Sequence, residues 1–141
     1  MLGAGAAPGT PTVRRIIDGD TVQLRDGRLI RYIGIDTPES RRRVNGHWIE
    51  DPQPFAHEAT AANARWVAGR AVRLEYDVQR FDRHGRTLAC VYVGEVMVNE
   101  ALVREGYAQL QTIPPNVRYA ARFGAAAEEA RRAGRGLWSR R

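Results

Sequence analysis

The chain has 141 residues, enough for one domain with its own core. All 22 of its Lys-plus-Arg positions are Arg, against 16 acids, which leaves a formal charge of +6 and a pI near 10.4. That balance favours a polyanionic partner, while no stretch is apolar for long enough to cross a bilayer as a helix. An arginine-biased composition could by itself account for the missing lysine, so the charge speaks for steering rather than for a site. Cys90 is the only cysteine, which rules out an internal disulfide.

In chain order, Met1 to Thr12 is rich in Gly, Ala, Pro and Thr and is predicted to be a disordered lead-in to one domain over residues 13–141. It lacks the charged start and apolar centre of a complete signal peptide. The small residues Ala4-Gly5-Ala6-Ala7 resemble the surroundings of a cleavage site, so a secreted or periplasmic location is one expectation and localisation stays open.

From Asp18 to Glu39 the chain reads DGDTVQLRDGRLIRYIGIDTPE. Val22-Gln23-Leu24 alternates as a half-buried strand does, Asp26-Gly27 is a hairpin signal, and Leu29 to Ile35 supplies a returning strand. With the turn closed at residues 26 and 27, position 20 falls opposite about position 33, and Asp20 and Asp36 share the open end. Two carboxylates so close repel unless a cation lies between them, and carboxylates with carbonyls and water are the ligands of hard Ca²⁺ or Mg²⁺. Strict alternation places Arg31 with Ile33 and Ile35, on the face opposite Asp36. Arg31 therefore reaches the acids only if the strand is irregular, and Gly34 is the expected place.

Ser40 to Gln53 has no periodicity and is predicted to be a loop, with three consecutive arginines. Pro54 is expected to open a helix that buries Phe55, Ala59, Ala62 and Trp66 and ends at Gly69. Val72, Leu74, Tyr76 and Val78 alternate as one strand, and Thr87 to Val93 forms the next, with Cys90 filling the core. The chain turns between them over Phe81 to Arg86, where Gly85 can take a positive φ. Asn99 is expected to cap a short helix through Arg104, closed by Gly106, before a last strand from Tyr107 to Leu110. Pro114-Pro115 breaks the chain ahead of a final helix from about Asn116, with Tyr119, Phe123, Ala127 and Ala130 on one face and Gly134 at its end. Leu137 and Trp138 should pack back on the body. These elements predict an α+β protein, a five-stranded OB-like β-barrel with three helices. His47, His57 and His84 show no metal-ligand spacing and read as surface or packing residues.

Asp18-Gly-Asp-Thr21, with Arg31 placed five residues before Asp36-Thr-Pro-Glu39, resembles the staphylococcal (micrococcal) nuclease family. Asp82-Arg-His-Gly-Arg86 looks like that family's second signature, and Val98 to Gly106 looks like its short middle helix. The resemblance runs from about Val13 to Trp138 and implies the same OB-like fold. It implies hydrolysis of DNA and RNA to 3′-phosphate ends with one Ca²⁺ held by Asp20, Asp36 and the carbonyl of Thr37, and Asp18 orienting bound water. Arg31 and Arg86 would meet the charge that grows on the phosphate, and Glu39 would orient or deprotonate the attacking water. Arg41, Arg42, Arg43 and Trp48 would flank the site and touch substrate, unless they form only a solvated loop.

Neither an obligate protein partner nor a membrane is expected, and the chain should act as a monomer. One departure stands out: the stretch after the last strand, Gln111-Thr-Ile-Pro114, lacks the family's base-stacking tyrosines, and Trp48 is the expected replacement. The alternative is a non-catalytic OB-type module that binds nucleic acid or a peptide. Such a module has no need of Asp20, Arg31, Asp36, Glu39 and Arg86 together. A toxin or phage protein using the same chemistry on a dedicated target also stays open.

Overall fold

The computed structural model describes residues 9–139, so the part of the expected lead-in over residues 1–8 lies outside the described residues. The strands are β1 (Val13–Asp18), β2 (Thr21–Leu24), β3 (Leu29–Tyr32), β4 (Ile35–Asp36), β5 (Arg41–Val44), β6 (His47–Glu50), β7 (Arg73–Glu75), β8 (Thr87–Val93), β9 (Val96–Met97) and β10 (Gln109–Leu110). The helices are α1 (Ala56–Val67), α2 (Val98–Arg104) and α3 (Ala120–Ala133), followed by a 3₁₀ turn at Gly136–Trp138. The architecture is α+β, with three helices on a mixed sheet.

The main sheet runs β1-β2-β3-β8-β7, and β3 and β8 are its parallel pair, with Ile30 beside Thr87. Its two edges approach each other at a bridge between Thr12 and Ala71, where the Val13 N–H donates to the Arg70 carbonyl at 2.9 Å and the Val72 N–H to the Pro11 carbonyl at 2.8 Å. The core between sheet and helices holds Val22, Leu24, Ile30, Tyr32, Ile35, Val91, Leu102 and Ala126, all 1% exposed or less. A second cluster centres on Phe123, Met97, Ile33 and Cys90. Burial pushes the Cys90 thiol up to about 12, as suits a core-filling side chain and not a nucleophile.

Several boundaries differ from the sequence expectation. The first hairpin pairs Thr21 with Arg31 and Gln23 with Leu29, one residue off the expected register, so Asp20 lies opposite Tyr32. The turn is a three-residue loop, closed by the Leu24 N–H on the Arg28 carbonyl at 2.9 Å and ending with Gly27 at φ 95°. Ser40 to Gln53 is not a loop but a β5–β6 hairpin, turned at Asn45 (φ 49°) and Gly46 (φ 79°), the Asn-Gly pair that fits a primed turn. The strand expected over Val72 to Val78 shrinks to β7, and Val78 is 72% exposed, because only Arg73 to Glu75 have β8 alongside to pair with.

The last strand is only β10, which pairs with β4 rather than with the main sheet, and α3 begins four residues beyond Asn116. Asn99 is not a cap. It lies fully buried in the first turn of α2, where its side-chain oxygen accepts from the Val91 N–H at 2.9 Å and its amide donates to the Ile33 carbonyl at 2.9 Å. It satisfies polar backbone groups that the break between β3 and β4 leaves in the core.

Gly34 is that break, at φ 82°, and a Cβ there would sit 2.4 Å from Cε2 of Phe123. Gly27 has the same kind of φ with open space around it. We expect Gly27→Ala to cost about 1 kcal/mol from backbone strain alone, and Gly34→Ala about 1–3 kcal/mol more from overpacking. Urea denaturation of both variants checks this, and equal losses would show that Phe123 simply moves aside.

Candidate active site

The acidic end of the first hairpin is built by close backbone approach. A Cβ on Gly19 would lie 2.7 Å from Oγ1 of Thr37 and 2.9 Å from Cβ of Ala59, so a glycine between Asp18 and Asp20 lets α1 and the chain after β4 close over the turn. Beneath it, the buried Asn63 of α1 donates to the Asp18 carbonyl at 2.9 Å and accepts from the Tyr32 hydroxyl at 2.6 Å. One helix residue thus holds β1 and β3 at the point where both enter the site.

Asp20 is 4% exposed and fully engaged. Its Oδ1 accepts from the Thr21 hydroxyl at 3.0 Å, and its Oδ2 accepts from the Thr37 N–H at 3.0 Å and faces Nη2 of Arg31 at 3.3 Å. The same Nη2 reaches Oδ1 of Asp36 at 3.4 Å and Oε1 of Gln111 at 3.1 Å. Nη1 of Arg31 donates to the carbonyls of Tyr32 and Ile35, both at 2.8 Å. The turn at Gly34 is what brings Arg31 round to Asp36, as the alternation argument required. Asp20, Arg31 and Asp36 therefore meet on one nitrogen.

Glu39 follows on the rim. Its N–H donates to Oε1 of Gln53 at 2.7 Å, and its carbonyl accepts from the Gln53 N–H at 2.8 Å, which fixes the root of the β5–β6 hairpin. Burial, then the charges of Asp20 and Asp36, raise the Glu39 carboxyl above its ordinary range, while Arg31 and Arg86 oppose them. Asp36 is raised in the same way, by burial first and Asp20 second, against Arg31. Asp18 is pushed up to about 8 by burial and by Asp20, with a smaller contribution from Glu39.

Arg86 closes the turn that follows Asp82. Its N–H and Nε donate to the Asp82 carboxylate at 3.0 and 2.7 Å. Burial would raise Asp82, but these bonds and the His84 N–H hold it below the usual carboxylate range. Arg31 and Arg86 both line a cavity of about 440 Å³, together with Leu88, Gln79, Gln111 and Asn116. His84, expected to be a simple surface residue, lines it too.

Arg41, Arg42, Arg43 and Trp48 do not. They stand on the exposed β5–β6 hairpin, where Arg41 and Arg43 lie over the Trp48 ring at 5.4 and 5.6 Å and Arg42 pairs with Asp51. Tyr107 is packed against the core, and Tyr119 donates to Glu75 at 2.6 Å, so neither offers a face to the cavity. Sequence reasoning also missed Asn63, Gln53 and Gln111. Only Asn63 carried a signal, as a polar residue four positions after Ala59 on the apolar stripe of α1.

A hard cation fits this end of the hairpin by the chemistry of its donors, which are all oxygens. The buried Thr37 hydroxyl has no hydrogen-bond partner there, and three carboxyls are held above their ordinary range by burial and mutual repulsion. Among the described residues no three acid, His or Cys side chains form a ready cage, so a cation would rest on two carboxylates and complete its shell with carbonyl and water oxygens.

An acid whose folded pKa lies above its unfolded value stabilises the fold only while protonated. Without a divalent cation, stability should therefore fall as pH rises from about 4 to 8, through Asp18. We expect Asp18→Asn to be on the order of 1–3 kcal/mol more stable than the parent at pH 8 in chelator and no more stable at pH 4. Denaturation curves at the two pH values read this directly, and a parent as stable at pH 8 as at pH 4 would remove the repulsion from the account.

The model of the family described as "Staphylococcal nuclease homologue" matches residues 29–140, which include Arg31, Asp36, Thr37, Glu39 and Arg86. A thermonuclease of Staphylococcus hyicus is 40% identical over 133 residues, covering 92% of this chain and 76% of the relative. A thermonuclease of Staphylococcus intermedius is 37% identical over 131 residues, covering 91% and 75%. The endonuclease YncB of Bacillus subtilis is 34% identical over 134 residues, covering 92% of this chain and 61% of its own length. With a family model across most of the chain and relatives above 30% identity along nearly all of it, the chain belongs to the staphylococcal nuclease family and is a nuclease.

Proposed function

We propose that this nuclease hydrolyses phosphodiester bonds of both DNA and RNA with one Ca²⁺, leaving 3′-phosphate ends. The observation that carries the reading is that Arg31, which lines one cavity with Arg86, also pairs with Asp20 and Asp36, while Glu39 feels the charges of all four. A module that only binds nucleic acid needs the arginines but gains nothing from repelling carboxylates beside them. The path β1-β2-β3-β8-β7, with its edges joined at Thr12 and Ala71, supports reading the sheet as an OB-like barrel of five main strands.

Asp20, Asp36 and the Thr37 carbonyl are the residues to hold the cation, with Asp18 behind them to orient its water. When bound, it supplies Lewis-acid neutralisation of a phosphoryl oxygen. Glu39 takes the proton of the attacking water, a role favoured by a carboxyl raised toward the working pH. A bond forms from water oxygen to phosphorus, and the bond to the 5′ oxygen breaks. Arg31 and Arg86 line the cavity where charge grows on the equatorial oxygens; Arg86, bound to Asp82 through Nε, keeps its two Nη groups to make paired bonds to phosphate, while Arg31, whose Nη groups are engaged, contributes mainly its charge. The one tyrosine among the cavity residues, Tyr32, is 1% exposed and offers no face of the kind the family uses for base stacking, so affinity rests mainly on phosphate contacts and base preference is weak. Trp48 and the three arginines of the β5–β6 hairpin would add grip beyond the cavity.

The direct test is plasmid DNA and RNA incubated with and without Ca²⁺ and chelator. Asp20→Ala and Asp36→Ala should abolish cleavage in a folded protein, and cleavage that persists for both variants in excess chelator would end the metal mechanism. Glu39→Gln should lose turnover and keep substrate binding. Arg86→Lys should lose about 10²–10³ in rate although its charge is kept, because a point charge cannot make paired bonds to phosphate. A lysine variant with parental turnover would reduce Arg86 to a turn residue.

A further inference from the structure

The arginines of this chain are not uniformly employed. Among the described residues, ten pair with a carboxylate: Arg31 and Arg86 in the site, and the rest on the helices, the β5–β6 hairpin and nearby turns. Another four lie over aromatic rings, and Arg83 bonds His84. The side chains of Arg14, Arg15, Arg25, Arg65 and Arg70 have no ion pair, hydrogen bond or ring contact, and all five residues are exposed. Four of them, Arg14, Arg15, Arg25 and Arg70, are neighbours in the fold.

The chain at Thr12 and Val13 is flanked on one side by Arg25, whose N–H donates to the Thr12 carbonyl at 2.9 Å. Arg70 flanks it on the other side, its carbonyl accepting from the Val13 N–H at 2.9 Å. Three adjacent rows of backbone thus place Arg25 and Arg70 about 10 Å apart. Between them the ladder slips at Val13 to Arg15, and this irregularity turns both Arg14 and Arg15 outward, where a regular strand would bury one of the two. Asp26, the one acid next to Arg25 in sequence, is bound to Arg28 at 2.9 Å. Arg65 lies in the last turn of α1, five residues before Arg70 in sequence.

We propose that this surface is a second nucleic-acid contact, which grips backbone phosphates away from the bond that is cut; it rests on the reading of the chain as a nuclease. Asp18 lies at the far end of β1 from Arg14, about 13 Å along the strand, or some four nucleotides of duplex. Unpaired guanidiniums present free forks that match phosphate oxygens. An anionic membrane fits less well, because among the described residues none of the large exposed apolar side chains belongs to the patch. The contact makes the enzyme favour polymers over short oligonucleotides.

The test measures binding in chelator, where nothing is cut, of a fluorescein-labelled 30-nucleotide single strand across a salt series. The parent is compared with a variant carrying Arg14, Arg15, Arg25 and Arg70→Gln, and with one carrying Arg118, Arg131, Arg132 and Arg135→Gln. Both lose four charges. We expect the log–log salt slope to flatten by up to about 3 for the first variant and by much less for the second, with little effect of either on cleavage of a dinucleotide in Ca²⁺. If the fourfold change prevents folding, the Arg14/Arg15 and Arg25/Arg70 double variants should each show about half of the effect. Equal slopes for the parent and the first variant, or equal flattening by both variants, overturns the proposal. Tighter binding by the parent to vesicles of 30% phosphatidylserine in phosphatidylcholine than to the oligonucleotide, lost with the same four residues, assigns the surface to membrane instead. Failure of the nuclease reading shows separately, as absent cleavage by the parent, and leaves the binding comparison decisive for the patch.

Discussion

Everything at the active end depends on one guanidinium held in a cage of oxygens. Arg31 is 12% exposed and gives its donors to two backbone carbonyls, two carboxylates and an amide. An arginine so largely withdrawn from water is tolerable only when such partners replace it. That demand fixes the geometry around it. The strand must break after Tyr32 so that the Ile35 carbonyl and Asp36 face back toward Arg31, and β10 must pair with β4 so that Gln111 arrives on the opposite side.

The break carries its own cost, which the core absorbs. Gly34 takes a conformation that side chains resist and lets Phe123 approach where a Cβ would stand. The carbonyl of Ile33, where β3 gives out, is met by the buried amide of Asn99, which also reaches the Ala89 carbonyl that already accepts from the Ile33 N–H. Asn63 does the same service at the start of the hairpin. Two buried asparagines from two helices thus hold the irregular backbone on which the charged residues stand. Polar groups in a core are stable only when satisfied, so these helices have little freedom to slide against the sheet.

The acids and arginines are matched unevenly, and the mismatch separates binding from structure. Away from the site, Glu100, Glu128 and Glu129 neutralise arginines of α2 and α3, in exposed pairs that are each worth little. At the site Arg31 meets Asp20 and Asp36 with Asp18 and Glu39 close by, which leaves negative charge unmatched. Around the start of β1 the excess runs the other way, and arginines stand without acids. On the reading proposed above, a polyanion would meet the protein where positive charge is unspent and be cut where negative charge collects.

The order and type of most elements were legible in the sequence, because strand alternation in Val22 to Leu24 and Thr87 to Val93, helix stripes and glycine stops are local signals. The expectation that Asp20, Arg31, Asp36, Glu39 and Arg86 work together also came from the sequence, through spacing that resembles a family pattern, and of these the structure pairs Arg31 with Asp20 and Asp36. The need for an irregularity at Gly34 followed from parity alone. The β5–β6 hairpin reads in sequence as a loop, because the run of arginines hides any alternation, although Asn45-Gly46 is a turn signal. Tertiary structure decided what depends on partners far along the chain: Gln111 meets Arg31 across 80 positions, and Asn99 looks like a helix cap until the Ile33 carbonyl appears beside it. The one-residue shift of the first hairpin belongs here as well. A turn of two or three residues reads alike in sequence, and the buried face of Val22, Leu24, Ile30 and Tyr32 against the helices selects the register that keeps all four inside.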